Sequence, residues 1–349
     1  MKNIVHNKTY LEDVRYVATL PMPWEKLHSK SILISGATGL IGSFLVDVLI
    51  YRNRYYDLDC SIYALGRSEQ RAKDRFSHCW NELRFIPYDI NDMLRREDIG
   101  AVDYIIHLAS NTHPVAYATD PIGTITTNIL GTNNMLEFAL AHQAVRCVFA
   151  SSVEVYGENR GDVEKFDESY CGYIDCNTVR AGYPESKRCG EALCQAYIRQ
   201  KGLDIVIPRF ARTYGPTMLM SDTKAISQFI RKALAGEDIV LKSAGTQYYS
   251  YTYVADAVAG LLTVLLCGKC GEAYNIADER SDIMLKDLAA IIASEAGMKI
   301  CFEIPSEVER AGYSTATKAL LDSGKIYKIG WRAKYDIVKG ISRTLSIVK

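Results

Sequence analysis

No apolar stretch in this chain approaches the roughly 20 residues that a membrane-spanning helix needs, so the sequence predicts a soluble protein with no membrane partner. Charge of one sign is not in excess either: 41 lysines and arginines stand against 41 aspartates and glutamates. Without a net field to draw a polyanion, nucleic acid is not an expected partner. A disulfide framework is missing, because the ten cysteines are scattered without regular pairing. Nor does a basic start with an apolar centre mark a leader, and a reduced, cytoplasmic setting is the expectation. Cys267 and Cys270 make a lone C-x-x-C after the apolar run Leu261 to Leu266, with neither a second pair nor nearby histidines, so no metal site is expected. Internal repeats and low-complexity tracts are also absent.

What is present is an ordinary globular composition, 48% hydrophobic and 23% charged over 349 residues, enough for one large domain or two joined ones. From Ser31 short apolar runs alternate with longer helical stretches: Ile32 to Ile34 before Leu40 to Ile50, then Ile62 to Leu65, Phe85 to Tyr88, Tyr104 to Ala109 before Ile122 to Ala141, Cys147 to Ala150 and Ile205 to Ile207. Strand and helix in alternation predict an α/β fold, a Rossmann-type doubly wound parallel sheet covered on both faces. After Pro208 the order loosens, with helices predicted near 222–235, 253–266 and 285–296 and a short strand at Ile239 to Leu241. The expected organisation is an N-terminal arm over 1–29, which lacks a clear period, a dinucleotide-binding domain over 30–208, and a smaller α/β substrate-binding part over 209–349 with segments returning to the sheet.

Gly36-Ala37-Thr38-Gly39-Leu40-Ile41-Gly42 follows the first predicted strand and opens the first predicted helix. Glycines there permit a tight turn and a close approach of backbone N–H groups to a pyrophosphate, which points to a bound nicotinamide dinucleotide. NAD is the expected cofactor, but its ribose hydroxyls are usually held by an acidic residue about 20 positions further on. Here the second strand ends Ala64-Leu65-Gly66-Arg67-Ser68, with no acid. Arg67 either accommodates the additional phosphate of NADP or is a solvated loop arginine, and both readings stand. Asp89 and Ile90, after the third strand, suit the adenine end.

Tyr183 and Lys187 lie one helical turn apart, with Ser152 upstream at the end of a strand-like run. A phenol ionises near pH 10, so a tyrosine base near neutrality needs a fall of about 3 units, roughly 4 kcal/mol. A lysine ammonium on the same helical face is a direct means of achieving it. Spacing alone does not choose this pair, because Tyr197 with Lys201 and Tyr335 with Lys339 share it.

Order along the chain does choose. Gly36-x-x-Gly39-x-x-Gly42, Ser151-Ser152-Val153-Glu154-Val155-Tyr156-Gly157, Tyr183-x-x-x-Lys187 and Arg209-Phe210-Ala211-Arg212-Thr213-Tyr214-Gly215-Pro216 resemble, in sequence order, the motifs of the extended short-chain dehydrogenase/reductase family of nucleotide-sugar enzymes. Within it, His107-Leu108-Ala109-Ser110, Pro114, Tyr117, Pro121, Thr127-Asn128, Gly131-Thr132 and Arg180 before Tyr183 are similar to the UDP-glucuronate decarboxylase branch.

The resemblance implies that Leu108, Ala109 and Ser110 border the cofactor, together with Tyr183 and Lys187, and that His113, Arg180, Arg212 and Tyr249 meet the substrate. It also implies a homodimer through a helix pair that includes the helix of Tyr183. The implied first step has Tyr183 taking the sugar C4 hydroxyl proton, Ser152 bonding the same oxygen, and hydride passing from C4 to the nicotinamide. With a C6 carboxylate the resulting ketone favours loss of carbon dioxide, giving UDP-xylose; with a C6 hydroxymethyl it favours 4,6-dehydration; a 4-epimerase only flips the keto-sugar. Glu154 stands where dehydratases have a glutamate, but Val153 occupies the place of their aspartate acid. Two departures stand out: the family usually has arginine where Tyr249 is, and asparagine where Arg212 is, so Arg212 is expected to supply the displaced charge. A dinucleotide-sensing regulator on the same fold is the non-enzymatic alternative.

Overall fold

The computed structural model describes residues 4–93, 99–112, 114–307 and 316–349. Its centre is a parallel sheet in the order β3 (Arg84–Pro87), β2 (Ser61–Gly66), β1 (Ser31–Ser35), β4 (Tyr104–His107), β5 (Arg146–Phe149), β7 (Ile205–Phe210) and β11 (Ala273–Ile276), with the two-residue β6 (Ser151–Ser152) also pairing with β7. Strand order reverses between β1 and β4, and the crevice at such a switch point is where open α/β sheets bind ligands. The expected doubly wound sheet is therefore observed.

Alternation along β1 shows why both faces are covered. Ile32 and Ile34 enter the core shared with α2 (Leu40–Tyr56) and α8 (Val254–Cys267), whereas Leu33 enters a second core with α5 (Pro121–His142) and α6 (Gly182–Lys201). All five β1 residues are buried, as two-sided packing requires. Asp120 caps α5 by accepting from Gly123 N at 3.0 Å, with Pro121 at the first helical position where its missing N–H costs nothing. Gly202 ends α6 in the left-handed conformation.

Beyond β7 a second sheet is built on β10 (Tyr248–Tyr253), which pairs in parallel with β8 (Arg212–Tyr214) and antiparallel with β12 (Asp282–Met284). The short strand β9 (Ile239–Leu241) pairs with β13 (Ile300–Phe302), and α7 (Ala225–Ala235) packs with α9 (Leu285–Ala296). The strand β11 brings the chain back to the edge of the main sheet beside β7.

Residues 8–18 form a helix, α1, rather than the aperiodic segment that the sequence indicates. Asn7 caps it by accepting from Thr9 N at 2.9 Å and Tyr10 N at 3.3 Å. Its buried side is Tyr10, Asp13, Val14, Val17 and Ala18, a helical face whose period is hidden by two polar members. Both are satisfied: the Tyr10 hydroxyl bonds Asp47, and Asp13 accepts from Arg343 at 2.8 Å and from the Tyr253 hydroxyl at 2.7 Å. The helix thereby ties α2 to the far end of the chain.

Candidate active site

The turn between β1 and α2 is shaped by close contact. Gly36 has φ +71°, and a Cβ there would lie 2.8 Å from Ala109 N; a Cβ on Gly42 would lie 2.4 Å from Gly36 O. Only glycine fits both places. The first turn of α2 has no side-chain cap, and Thr38, Gly39, Leu40 and Ile41 are only half-buried, so its N–H groups face the crevice with the helix dipole behind them. This cradle fits a dinucleotide pyrophosphate. Arg67 is exposed at the end of β2. Asp89 spends one carboxylate oxygen on its own turn, accepting from Asn91 N at 3.0 Å, and Ile90 is buried against α5, where only Gly131 leaves it room. Leu108, Ala109 and Ser110 follow β4 beside the turn, with Leu108 N donating to Ser35 O at 3.2 Å.

Ser152, Tyr183 and Lys187 come together from β6 and α6. The Tyr183 phenol is buried, with the hydroxyls of Ser152 and Ser110 near enough to favour its anion. Ser110 Oγ also donates to Asn128 Oδ1 at 2.6 Å, and Asn128 Nδ2 donates to Ser186 Oγ at 2.8 Å, so a polar chain links α5 and α6 to the phenol. Burial pushes the Tyr183 pKa up to about 12, with the Ser152 hydrogen bond acting downward, Glu154 upward and Arg180 downward. Here the arrangement departs from the expectation, because the cation acting most on the phenol is Arg180. Lys187 instead donates from Nζ to Ala150 O at 2.8 Å and lies over the Phe149 ring, and burial brings its pKa down to about 8.

On the sugar side four segments converge. Glu154 accepts from Arg180 Nη2 at 2.6 Å and pairs with Arg212 Nη2 at 3.5 Å. Despite burial, these two guanidinium groups hold its carboxyl below the usual range, so it is ionised. The donors outnumber their acceptor: among the described residues, Arg180 Nε and Nη1 and Arg212 Nη1 are buried with no hydrogen-bond partner. A cleft of about 810 Å³, its open mouth included, is lined by Glu154, Arg180 and Arg212 with Thr178, Pro184 and Ala316 among its walls.

Tyr249 is not among the lining residues. Its hydroxyl donates to Ala316 O at 2.7 Å, and its ring lies 3.4 Å from the Arg212 guanidinium carbon. Tyr249 is thus the floor on which Arg212 is stacked. Tyr117, from α4 (Pro114–Thr119), stacks on Tyr183 at 4.8 Å between centroids, and the Arg180 guanidinium lies over the Tyr117 ring at 4.9 Å from its centroid. The sequence places Tyr117 in a motif but carries no local signal of this contact. His107 is a packed residue: it bonds Ser35 Oγ at 2.7 Å and Thr132 Oγ1 at 3.2 Å, and burial brings its pKa down to about 3. His113 lies outside the described residues.

Residues 32–277 match the NAD dependent epimerase/dehydratase family. The chain belongs to that family. The resemblance read from the motifs is borne out, and this family member is 38% identical over 251 residues, 70% of each chain, to UDP-glucuronic acid decarboxylase 6 of Arabidopsis thaliana. It is 30% identical over 319 residues to UDP-glucuronic acid decarboxylase 1 of Danio rerio, covering 90% of this chain and 72% of the relative. Among solved structures it is similar to a dTDP-glucose 4,6-dehydratase of Streptomyces venezuelae with NAD bound, at a TM-score of 0.78 and 27% identity, covering 91% of this chain and 96% of that one. Among the described residues, no helix is long and apolar enough to cross a membrane.

Proposed function

We propose that this family member is a nucleotide-sugar decarboxylase acting on UDP-glucuronate. The observation that carries the reading is the pair Arg180 and Arg212, which share one carboxylate and, among the described residues, keep three buried N–H-bearing nitrogens without an acceptor. Buried guanidinium donors left unpaired cost free energy, on the order of 1–3 kcal/mol each, and a second anionic group in the cleft removes that cost. A uronate carboxylate is such a group, whereas the neutral hydroxymethyl of a hexose is not.

A nicotinamide dinucleotide, held at the Gly36–Gly42 turn, supplies reversible oxidation of the sugar at C4. The residues of this chain manage protons and orientation around that change. Tyr183, as its phenolate, accepts the C4 hydroxyl proton, with Ser152, Arg180 and Ser110 all acting to favour that anion against the burial that opposes it. Lys187, fixed to Ala150 O, sits one turn along the same helix and helps hold the dinucleotide ribose. Once C4 is a ketone, the C6 carboxylate lies beta to it, and loss of carbon dioxide leaves an enolate spread over C5, C4 and the oxygen. Val153 offers no acid beside Glu154, which disfavours the loss of water that a dehydratase requires. Glu154, ionised, fixes both arginines toward the sugar.

Purified protein supplied with UDP-glucuronate and dinucleotide is expected to release carbon dioxide and a UDP-pentose without net accumulation of reduced cofactor. UDP-galacturonate formed without carbon dioxide would reassign the chain to 4-epimerisation. The reading includes a homodimer through α5 and α6, supported by Ile122, Ile125 and Leu130, which are 76%, 37% and 50% exposed along α5. Ile122→Glu with Leu130→Glu is expected to give a monomer in light scattering; an unchanged mass would remove this interface.

A further inference from the structure

Where the second strand ends, the fold presents two arginines in place of an acid. Ala37 N donates to Leu65 O at 3.4 Å, so the glycine turn and the tip of β2 are joined directly. A Cβ on Gly66 would lie 3.9 Å from Thr38 Oγ1, which places the next residue, Arg67, at the rim of the dinucleotide cradle. Ser68 Oγ then accepts from Arg71 N at 3.2 Å and caps α3 (Glu69–Phe76), which sets Arg71 in the first turn of that helix, four residues after Arg67. Both residues are at the surface, and partial burial of the Arg71 guanidinium followed by the nearby Arg67 charge brings its pKa down.

The neighbouring acids are engaged elsewhere. Glu69 pairs with Lys73 at 2.8 Å, and Asp74 accepts from Gln70 at 2.8 Å. Among the described residues neither Arg67 nor Arg71 has a carboxylate partner. A ribose diol needs an acceptor at this point of the fold, whereas a phosphate needs donors and positive charge. The observed pair offers only the latter.

We propose that Arg67 and Arg71 clamp the 2′-phosphate of NADP, so that this chain prefers the phosphorylated dinucleotide. The inference rests on the dinucleotide site at Gly36–Gly42 in the reading above. Arg67 follows the strand directly and meets the phosphate from the sheet side; Arg71, one helical turn further on, closes on it from α3. Two charge-assisted contacts on one dianion favour NADP over NAD by about tenfold or more, and screening by salt narrows the difference.

The test is titration calorimetry of the full chain with NADP⁺ and with NAD⁺ at low and high salt, preceded by mass spectrometry of any dinucleotide released on denaturing the purified protein. The expected result is tighter binding of NADP⁺, loss of that advantage in Arg67→Ala with Arg71→Ala, and NAD⁺ affinity within about twofold of the parent. Arg67→Asp is expected to reverse the preference toward NAD⁺, a gain that misfolding does not produce. NAD⁺ bound as tightly as NADP⁺, NAD recovered from the purified protein, or equal weakening of both dinucleotides in the double variant would overturn the clamp. If UDP-glucuronate is turned over with NAD⁺ preferred, the clamp alone fails; if neither dinucleotide binds, the functional reading fails with it.

Discussion

The dinucleotide end and the sugar cleft of this family member are built on opposite principles. At the first, seven consecutive residues make the site with backbone: glycine φ values, close approaches and uncapped N–H groups of one helix. At the second, side chains from the Ser152 turn, the α6 approach and β8 assemble around one carboxylate, with β10 contributing the floor. A backbone site tolerates changes of side-chain chemistry and fails when volume is added. An electrostatic site tolerates changes of volume better and fails when one charge is left without its partner.

The sharpest way to break this contrast is at Tyr183, where both ends meet. Tyr183→Phe is expected to lower kcat by about a hundredfold or more, the scale of general acid–base catalysis, with dinucleotide affinity retained. Turnover near the parent rate would place the base elsewhere.

Next in size is Lys187, whose folded pKa of about 8 lies below the usual value of 10.5. Between those values the unfolded chain keeps a proton that the folded one has lost, so stability rises with pH across that window. Measured by urea unfolding, the parent is expected to gain about 3 kcal/mol on Lys187→Met between pH 7 and pH 10.5. A pH-independent difference would mean that the ammonium is not desolvated.

Volume at the backbone site comes third. Gly42→Ala puts a methyl 2.4 Å from Gly36 O, and a thermal melt is expected to show a loss of about 1–3 kcal/mol together with weakened dinucleotide binding. Unchanged affinity would mean that the turn is not the cradle. Smallest is Arg212→Ala, expected to weaken UDP-glucuronate about tenfold by calorimetry and to leave dinucleotide affinity within about twofold. Weakening of both ligands would erase the distinction between the two ends.

The same division explains what could be read before folding. Strands, the glycine turn and the Ser152, Tyr183 and Lys187 set rest on short-range patterns, and a parallel sheet covered on both faces, with its buried β1, follows from them. The α1 helix was hidden because Tyr10 and Asp13 interrupt an apolar face, although both are satisfied by distant partners, Asp47 and Arg343. Spacing put Lys187 next to the phenol, but it says nothing of Ala150 O, which competes for the ammonium, or of Arg180, which arrives from the preceding turn. Tyr249 was expected at the substrate because of the charge missing there. In the fold its ring supports the arginine that β8 supplies, a contact between paired strands that only register reveals. Arg71 went unnoticed for a similar reason, since its place near Arg67 follows from where Ser68 caps α3 and not from a motif.

The most direct test of the central claim, that a buried phenol and two arginines sharing one carboxylate serve a uronate sugar, is mass balance on one reaction. UDP-[6-¹³C]glucuronate incubated with the purified protein and dinucleotide is predicted to yield labelled carbon dioxide and UDP-pentose in equal amounts, with no lasting rise in absorbance from reduced cofactor. Label that stays in the nucleotide sugar, or reduced cofactor accumulating in step with product, would contradict it.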